Sequence, residues 1–245
     1  MNQTIEHLMN HVSIRKYDKE KPVPDEMVKS IVACAQMAPT SSHFQAYTII
    51  QVNDKEKKAM MAEVAGGQEY LNDAPVTLLF CADLHRSAKY YENIDTNILS
   101  NTESYTVAVV DASLAAQKAL IAAQSMGLGG VVIGGIRNDL EKICDAFKLP
   151  DLVFPMFVLC LGYAAQEPGM KPRLPMEVVL KQDFYDQSRD DELIGDYNKT
   201  VKDYYTLRTN DATKDRWTER CGKYLMAKPR EEVGKLVRKK GFLQS

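Results

Sequence analysis

The chain has 245 residues, of which 45% are apolar and 26% charged, and its net charge is −2. A chain of this length and composition can bury a substantial core, as one large domain or two small ones. The balanced charge gives no reason to expect nucleic acid or an anionic membrane as a partner. The N-terminus lacks an apolar signal segment, and the five cysteines contain no C-x-x-C pair. We therefore expect reduced thiols, no metal site and a cytoplasmic protein.

The first polar motif is HVSIRKY, which follows a predicted helix at 4–11. His11, Ser13 and Arg15 alternate with apolar residues, and alternate side chains share a face in an extended segment. An imidazole, a hydroxyl and a guanidinium on one face suit a phosphate or another anionic group. An ordinary strand with one exposed polar side has the same pattern.

A second polar run contains Thr40, Ser41 and Ser42, which offer hydroxyl groups to a ligand or form a polar turn.

The elements predicted around this run are an amphipathic helix at 25–38, a strand at 47–52, a helix at 54–65, a strand at 76–83 and a variable region at 84–99. The strand at 76–83 is apolar throughout, which is typical of a sheet covered on both faces.

The longest predicted element is a helix at 103–126, which opens with an S-x-x-E capping box at Ser100 and Glu103. It carries too few charges to have a solvated face. Its alanines recur at spacings of four and three along one stripe, where another helix can approach closely. The helix is therefore either the buried centre of a large core or the seam between two subunits. The charged and amide groups in its middle argue against a membrane span.

Paired glycines bracket a short strand predicted at 131–133. Gly129-Gly130 is expected to turn the chain after the long helix, and Gly134-Gly135 to end the strand before a helix at 139–148. The spacing fits neither a dinucleotide-binding G-x-G-x-x-G nor a P-loop. Glycines at the end of a strand let backbone approach a flat ligand closely, or they make a tight turn.

The character of the chain changes after a buried strand predicted at 153–162. Lys171 and Arg173 lie two residues apart in KPRLP, which its prolines hold extended, so both cations point to one side. Residues 181–245 are richly charged but keep helical periods, so we expect an arm and three helices that cover surface. We predict a single domain over 1–245, with a core at about 1–163 and the arm and helices at about 164–245.

Six motifs in this order resemble the flavin-dependent nitroreductase family, in particular its NADPH-preferring branch. They are HVSIRKY, TSSHFQAYTII, GGQ at 66–68, GLGGVVIGGIRN, KPRLP, and YYTLRTN followed by a tryptophan. The resemblance implies an α+β fold in which helices flank a mixed central sheet. It also implies a homodimer whose C-terminal arm and helices wrap the partner, with one FMN per subunit at the interface.

The resemblance assigns the FMN phosphate and ribityl chain to the N-terminal motif. His11, Ser13 and Arg15 match the segment that holds these groups. Lys171 and Arg173 match a second basic grip, on the pyrimidine edge of the flavin and on the phosphate.

Other matched positions surround the flavin ring and the hydride donor. Thr40, Ser41 and Ser42 match a serine run that reaches the flavin from the other subunit. The positions that match the lining of the isoalloxazine ring are Gln68, Ile133, Gly134 and Gly135. Arg208 matches an arginine that receives NADPH, and Lys214 and Arg216 lie close enough in sequence to assist. Two positions depart from the pattern: Val12, where relatives usually have arginine, and His43, where they often have an apolar or aromatic residue.

In such an enzyme FMN carries the chemistry, and the protein supplies binding, orientation and electrostatics, so we assign no general acid or base. The expected activity is ping-pong transfer of two electrons from NADPH to nitroaromatics, quinones or flavins. One alternative is an FMN reductase that supplies free reduced flavin. Another is a flavin-binding sensor or carrier without fast turnover.

Overall fold

The structure is a computed structural model that describes residues 2–227 and 229–244. The chain divides into two compact units, Met1–Pro168 with Arg230–Ser245 and Gly169–Pro229, which we call the core unit and the C-terminal unit. In chain order the helices are α1 (Gln3–Met9), α2 (Asp25–Gln36), α3 (Lys55–Val64), α4 (Tyr70–Asp73), α5 (His85–Tyr90), α6 (Thr102–Ser125), α7 (Leu140–Ala146), α8 (Met176–Val179), α9 (Asp190–Arg208), α10 (Trp217–Ala227) and α11 (Glu232–Lys239).

One sheet lies at the centre of the core unit. Its strands are β1 (Tyr47–Gln51), β2 (Val76–Asp83), β3 (Gly129–Ile133) and β4 (Val153–Gly162), in the order β1-β2-β4-β3. All neighbouring pairs of these strands are antiparallel. The family resemblance implies a mixed sheet, whereas parallel pairing among the described residues is limited to an isolated bridge between Ser13 and Gly130. The helical connection from β1 to β2 returns to the same end of the sheet, and this return makes the two strands antiparallel.

The alternation of side chains along β2 shows how the sheet is covered on both faces. Every residue of β2 is buried. Leu78 and Phe80 belong to the apolar cluster formed with α2 and α6, and Leu79 and Cys81 belong to the cluster formed with α3 and α7. The continuous apolar run at 76–83 therefore follows from burial on both sides, and the prediction of a doubly covered strand is confirmed.

Helix α6 packs on the sheet with one face, and its opposite face is exposed. Its alanine stripe, from Ala108 through Ala115 to Ala122, is buried within the chain itself, and most of the stripe packs with α2 and β2. The interpretation of this stripe as a subunit seam is wrong, because its small side chains bring α2 of the same chain into close contact. By length and composition α6 could cross a membrane, but 50% of its most apolar window is buried inside the fold, as in the core helix of a globular protein.

The ends of α6 and β3 differ in detail from the prediction. The side chain of Asn101, and not Ser100, caps α6 by accepting a hydrogen bond from Ser104 N (2.7 Å). Asparagine and serine are about equally good N-caps. Asn101 caps the helix because it directly precedes the first helical residue, whereas Ser100 lies one residue further away. Gly127, with a φ of 83°, ends the helix, and Gly129-Gly130 forms the first residues of β3 rather than a turn.

The C-terminal unit has a small apolar cluster of its own. Tyr197, Val201 and Tyr205 recur every four residues on one side of α9 and are buried, and Leu174 and Trp217 pack against them. This cluster holds the arm that precedes α9 and the start of α10 on a common support.

The chain returns to the core unit at α11. Leu236, Val237 and Phe242 are buried and pack with Phe154 of β4. Lys239 also forms an ion pair of 2.7 Å with Glu141 on α7. The prediction that residues 181–245 only cover surface is therefore wrong for their last part, where three apolar side chains enter the core.

Candidate functional site

The HVSIRKY segment is fixed along the start of β3. Ile14 N donates a hydrogen bond to Gly130 O (3.0 Å). A Cβ atom at Gly129 would lie 2.3 Å from Ile14 Cγ1, so only glycine at this position admits the segment. Three residues further, Tyr17 is buried, and its hydroxyl donates to Ile14 O (3.0 Å). The predicted extended segment therefore has a fixed place beside the sheet.

The alternation within this segment separates an inner from an outer side. Ile14 is buried and Val12 packs against the core cluster, while His11 and Ser13 are half-buried and Arg15 is exposed. The amide of Gln124, near the end of α6, donates to His11 Nδ1 (2.9 Å). The polar groups of the motif are thus accessible, and the imidazole is held in one orientation.

Tyr70 connects the surroundings of Arg15 to Gln68. The positive charge of Arg15 acts on the hydroxyl of Tyr70, and this hydroxyl donates a hydrogen bond to Gln68 Oε1. Gln68 Nε2 donates to Ala65 O (3.0 Å) at the end of α3. Burial raises the pKa of Tyr70 above its ordinary value, and the guanidinium of Arg15 acts against this rise. Two predicted site residues that lie 53 positions apart in the sequence are therefore brought to one tyrosine.

The glycine pair after β3 lies beside the same turn. A Cβ atom at Gly135 would lie 3.0 Å from the Cα, Cβ and O atoms of Ala65, so this close packing excludes a larger residue. Gly134 is half-buried, and a Cβ atom there would meet the guanidinium of Arg137 at 2.8 Å. Ile133 is buried in the core cluster, so its side chain faces the core. The structure thus brings the glycine pair next to the segment that carries Gln68.

The loop with Thr40, Ser41 and Ser42 is strained and anchored. Ser42, His43 and Gln45 have φ values of 45°, 60° and 52°, which non-glycine residues rarely adopt. Asp111 of α6 is completely buried, and its carboxylate accepts hydrogen bonds from Ser41 N (3.1 Å) and Ala46 N (3.0 Å).

This anchor leaves the hydroxyl groups of the loop accessible. Ser41 and Ser42 are exposed and Thr40 is half-buried. A conformation of this kind persists only where the surroundings determine it, and such places are often functional.

The cations of KPRLP belong to the C-terminal unit. Lys171 and Arg173 are exposed, and Tyr197 of α9 fixes the segment between them by donating to Pro172 O (3.0 Å). The segment lines a cavity of about 870 Å³ together with residues of α9 and α10, all of them within this unit.

Arg208 is the last residue of α9, and the loop follows it. Its guanidinium donates to the hydroxyl of Tyr204, one helical turn earlier, and lies 5.6 Å from the centre of that ring. The two cations expected to assist are each paired with a carboxylate. Lys214 lies 3.0 Å from Asp211, and Arg216 lies 2.7 Å from Glu219.

Two side chains that organise these segments are absent from the sequence prediction, Tyr70 and Asp111. Asp111 carried a usable signal, because a carboxylate in the middle of an apolar helix needs buried hydrogen-bond partners. Tyr70 carried no such signal, since its contact with Arg15 depends on how the turn at 66–70 folds back.

Comparisons with known proteins agree with the resemblance over the whole chain. Residues 8–163 match the model of the Nitroreductase family, and residues 171–245 match the model of the C-terminal domain of that family. The chain is 41% identical to an FMN reductase (NADPH) of Bacillus subtilis, with 99% of each chain covered. It is 36% identical to an oxygen-insensitive NADPH nitroreductase of Salmonella typhimurium, again with 99% of each covered.

Solved structures give the same result for the fold. A nitroreductase of B. subtilis superposes with a TM-score of 0.95 at 40% identity, covering 99% of this chain and 100% of that one. An NADPH:FMN oxidoreductase of Vibrio harveyi, solved in complex with NAD+, superposes with a TM-score of 0.90 at 34% identity and covers 100% of both chains. With its sequence and fold matched from end to end, this chain belongs to the nitroreductase family.

Proposed function

We propose that the chain is an FMN-dependent oxidoreductase that uses NADPH to reduce nitroaromatics, quinones or flavins by ping-pong transfer of two electrons. The observation that carries this proposal is that Arg15, Tyr70 and Gln68 lie together beside the turn at Ala65, against which Gly135 packs. They bring a cation, a hydroxyl and an amide together in the core unit, next to the half-buried Gly134. The full-length relatives named NADPH-dependent FMN reductases and nitroreductases point to the same activity.

The residues present fit FMN in their chemistry. A guanidinium, a hydroxyl and an oriented imidazole, from Arg15, Ser13 and His11, are the donors that a phosphate and a ribityl chain require. Gln68 and the backbone at Gly134-Gly135 can hydrogen-bond the edge of a flat ring. We assign the backbone at Ile133 to the same ring, because its side chain is buried in the core.

Further assignments follow the family pattern. We assign Lys171 to the pyrimidine edge of the flavin, Arg173 to the phosphate, and Thr40, Ser41 and Ser42 to the flavin of a second subunit. Arg208 is kept as the candidate that receives NADPH. Bound FMN would accept and return the hydride, and a fixed cation such as Lys171 or Arg15 would stabilise the negative charge that reduction places on the ring.

We further propose that the chain is a cytoplasmic homodimer in which both units form one FMN-binding domain. Support for a dimer comes from the outer face of α6, where Val110 is 47% and Leu114 39% exposed. The arm in the C-terminal unit also exposes several large apolar side chains, namely Met176, Val179, Leu180, Phe184 and Tyr185. Apolar surface of this extent is typical of an interface with a second copy.

The decisive experiment is chemical. The purified protein should be yellow, release FMN on denaturation, and oxidise NADPH when a quinone is added. Oxidation of NADPH with free FMN as the sole acceptor would identify the FMN reductase alternative, which the name of the B. subtilis relative favours. A protein that holds FMN but does not oxidise NADPH with any acceptor would be the sensor or carrier and would contradict the proposal.

A further inference from the structure

Arg137 lies against the glycine pair that follows β3. It belongs to a 3₁₀ turn at Gly135–Asn138, which Gly134 precedes as the capping residue, and its side chain is half-buried. A Cβ atom at Gly134 would lie 2.8 Å, 2.9 Å and 3.1 Å from Nη2, Nη1 and Cζ of Arg137. The guanidinium thus fills the space that a side chain at position 134 would need, and glycine is the residue that fits there.

The guanidinium is also held by the sheet. Nη1 of Arg137 donates a hydrogen bond to Met156 O (2.5 Å) of β4. Its positive charge acts inside the core, since burial raises the pKa of Tyr105 on α6 and the charge of Arg137 acts against this rise. Because the planar guanidinium contacts Gly134 and a strand carbonyl at once, its charge has a fixed position beside that glycine.

The backbone of Arg137 fixes the direction of the peptide between the two glycines. Arg137 N donates a hydrogen bond to Gly134 O (3.1 Å). This peptide is trans, so the carbonyl of Gly134 and the N–H of Gly135 point in opposite directions. The hydrogen bond within the turn therefore sets the direction of the N–H group that Gly135 can offer to a ligand.

Asn138 ties the same turn to the segment that carries Gln68. Its Nδ2 donates a hydrogen bond to Val64 O (3.0 Å) at the end of α3. Gln68 Nε2 donates to the next carbonyl oxygen, that of Ala65 (3.0 Å). The two segments assigned to the flavin ring are therefore held in one arrangement by neighbouring carbonyl groups.

We propose that Arg137 is a positioning residue for the reduction of FMN, which fixes the Gly134-Gly135 backbone and keeps a positive charge beside it. This inference rests on the proposed binding of FMN at the glycine pair. Reduction places negative charge on the ring, and a fixed cation nearby stabilises the reduced form more than the oxidised form. Arg137 therefore tightens the binding of reduced FMN more than that of oxidised FMN, and this difference raises the two-electron potential of the bound cofactor.

Arg137→Gln removes the charge, and Arg238→Gln is the matched control. Arg238 also bonds the backbone of a glycine, with Nη1 3.3 Å from Gly234 O, but it is exposed on α11. The potential of bound FMN is measured by anaerobic titration against a reference dye. Binding of oxidised FMN to the apoprotein is measured by the quenching of flavin fluorescence. The two values together give the affinity for reduced FMN.

We expect Arg137→Gln to weaken the binding of reduced FMN about 10-fold more than that of oxidised FMN, which lowers the two-electron potential by about 30 mV. Arg137→Lys should lose only part of this potential, because it keeps the charge but not the planar fork. Arg238→Gln should leave the potential unchanged.

Hydrogen exchange of the apoprotein reads the hold on the backbone without FMN. Amides at 133–138 should exchange faster in Arg137→Gln than in the wild-type chain, because the turn loses its contacts with Gly134 and β4. Arg238→Gln should exchange at the wild-type rate in this segment. If Arg137→Gln does not fold, Arg137→Lys takes its place, with changes in the same directions.

Several results would overturn the inference. They are an unchanged potential in Arg137→Gln, an equal fall in Arg238→Gln, and unchanged exchange at 133–138. Equal weakening of oxidised and reduced FMN would do the same, since a purely structural role predicts it. A potential in Arg137→Lys as low as in Arg137→Gln would show that the charge has no part. A wild-type chain that binds no FMN would contradict the proposed function and this inference with it, whereas an FMN-bound protein that fails these tests contradicts the role of Arg137 alone.

Discussion

Asp111 offers a sharp test of how the strained loop at 40–46 is held. Its buried carboxylate accepts one hydrogen bond at each oxygen, from Ser41 N and Ala46 N. In Asp111→Asn only one oxygen remains, and the new NH₂ group faces the second N–H donor. A hydrogen bond to a charged group contributes about 1.5–3 kcal/mol, and the lower burial cost of a neutral amide offsets part of this loss. We therefore expect a loss of about 2 kcal/mol, close to a 30-fold change in the ratio of folded to unfolded protein.

Urea unfolding at fixed protein concentration measures this loss, and gel filtration measures the FMN that is retained. Asp139→Asn is the matched control, because Asp139 is exposed, accepts a single backbone hydrogen bond as the N-cap of α7, and can be replaced by asparagine, which caps equally well. The reasoning fails if the two variants unfold at the same urea concentration and retain equal amounts of FMN. A destabilised Asp111→Asn that keeps all its FMN would separate the stability of the loop from its assigned role at the flavin.

Three further predictions concern the dimer, the flavin site and the thiols. Leu114→Glu on the outer face of α6 should give a folded monomer by sedimentation. Ala115→Glu, on the buried face, should instead unfold the protein. A Leu114→Glu variant that stays dimeric would exclude this face as the dimer interface. Tyr70→Phe should weaken FMN retention, measured after gel filtration, with little change in unfolding, because it removes the hydroxyl that holds the Gln68 amide; unchanged retention would contradict the assignment. Burial raises the pKa of Cys160 to about 12, so at pH 8 this thiol should react with a disulfide reagent only after denaturation, and rapid reaction in the native protein would show that it is accessible.

Much of the fold could be predicted because, in the core unit, the spacing of apolar residues and the positions of turn-forming residues agree with the packing. The strands predicted at 76–83 and 153–162 have those bounds in the structure, since short continuous apolar runs between turn signals favour buried strands. The strand directions could not be predicted in the same way. They depend on which end of the sheet each connection returns to, and no local pattern encodes that.

The long helix shows where a correct observation allowed two interpretations. Its alanine stripe requires a close neighbour, and the pattern does not say whether the neighbour is α2 of the same chain or a helix of a partner. The structure places α2 there. The partner, if it uses α6, must use the opposite face around Val110 and Leu114, which has larger side chains and remains exposed.

The candidate site could be predicted as a set of segments, but its supporting contacts could not. HVSIRKY, the serine run and the glycine pair are visible in the sequence because their residue types suit a phosphate and a flat ring. Tyr70 and Asp111 hold these segments through contacts with residues far away in the chain, which a linear pattern does not reveal. Local motifs thus indicate which residue types could bind a ligand. The contacts that hold those residues in place are tertiary, and local motifs do not show them.

The cations after α9 illustrate the same limit for charge. In the sequence Arg208, Lys214, Arg216 and Arg220 are equivalent positive residues among interspersed carboxylates. In the structure acidic residues three positions away, Asp211 and Glu219, pair with Lys214 and Arg216. An exposed ion pair contributes little to stability, but it occupies the N–H groups that a ligand phosphate would need. Arg220 contacts an aromatic ring instead, with its guanidinium 4.4 Å from the centre of the Tyr205 ring. Which of these cations stays open to an anion therefore depends on contacts made in the folded chain, and sequence spacing alone does not give them.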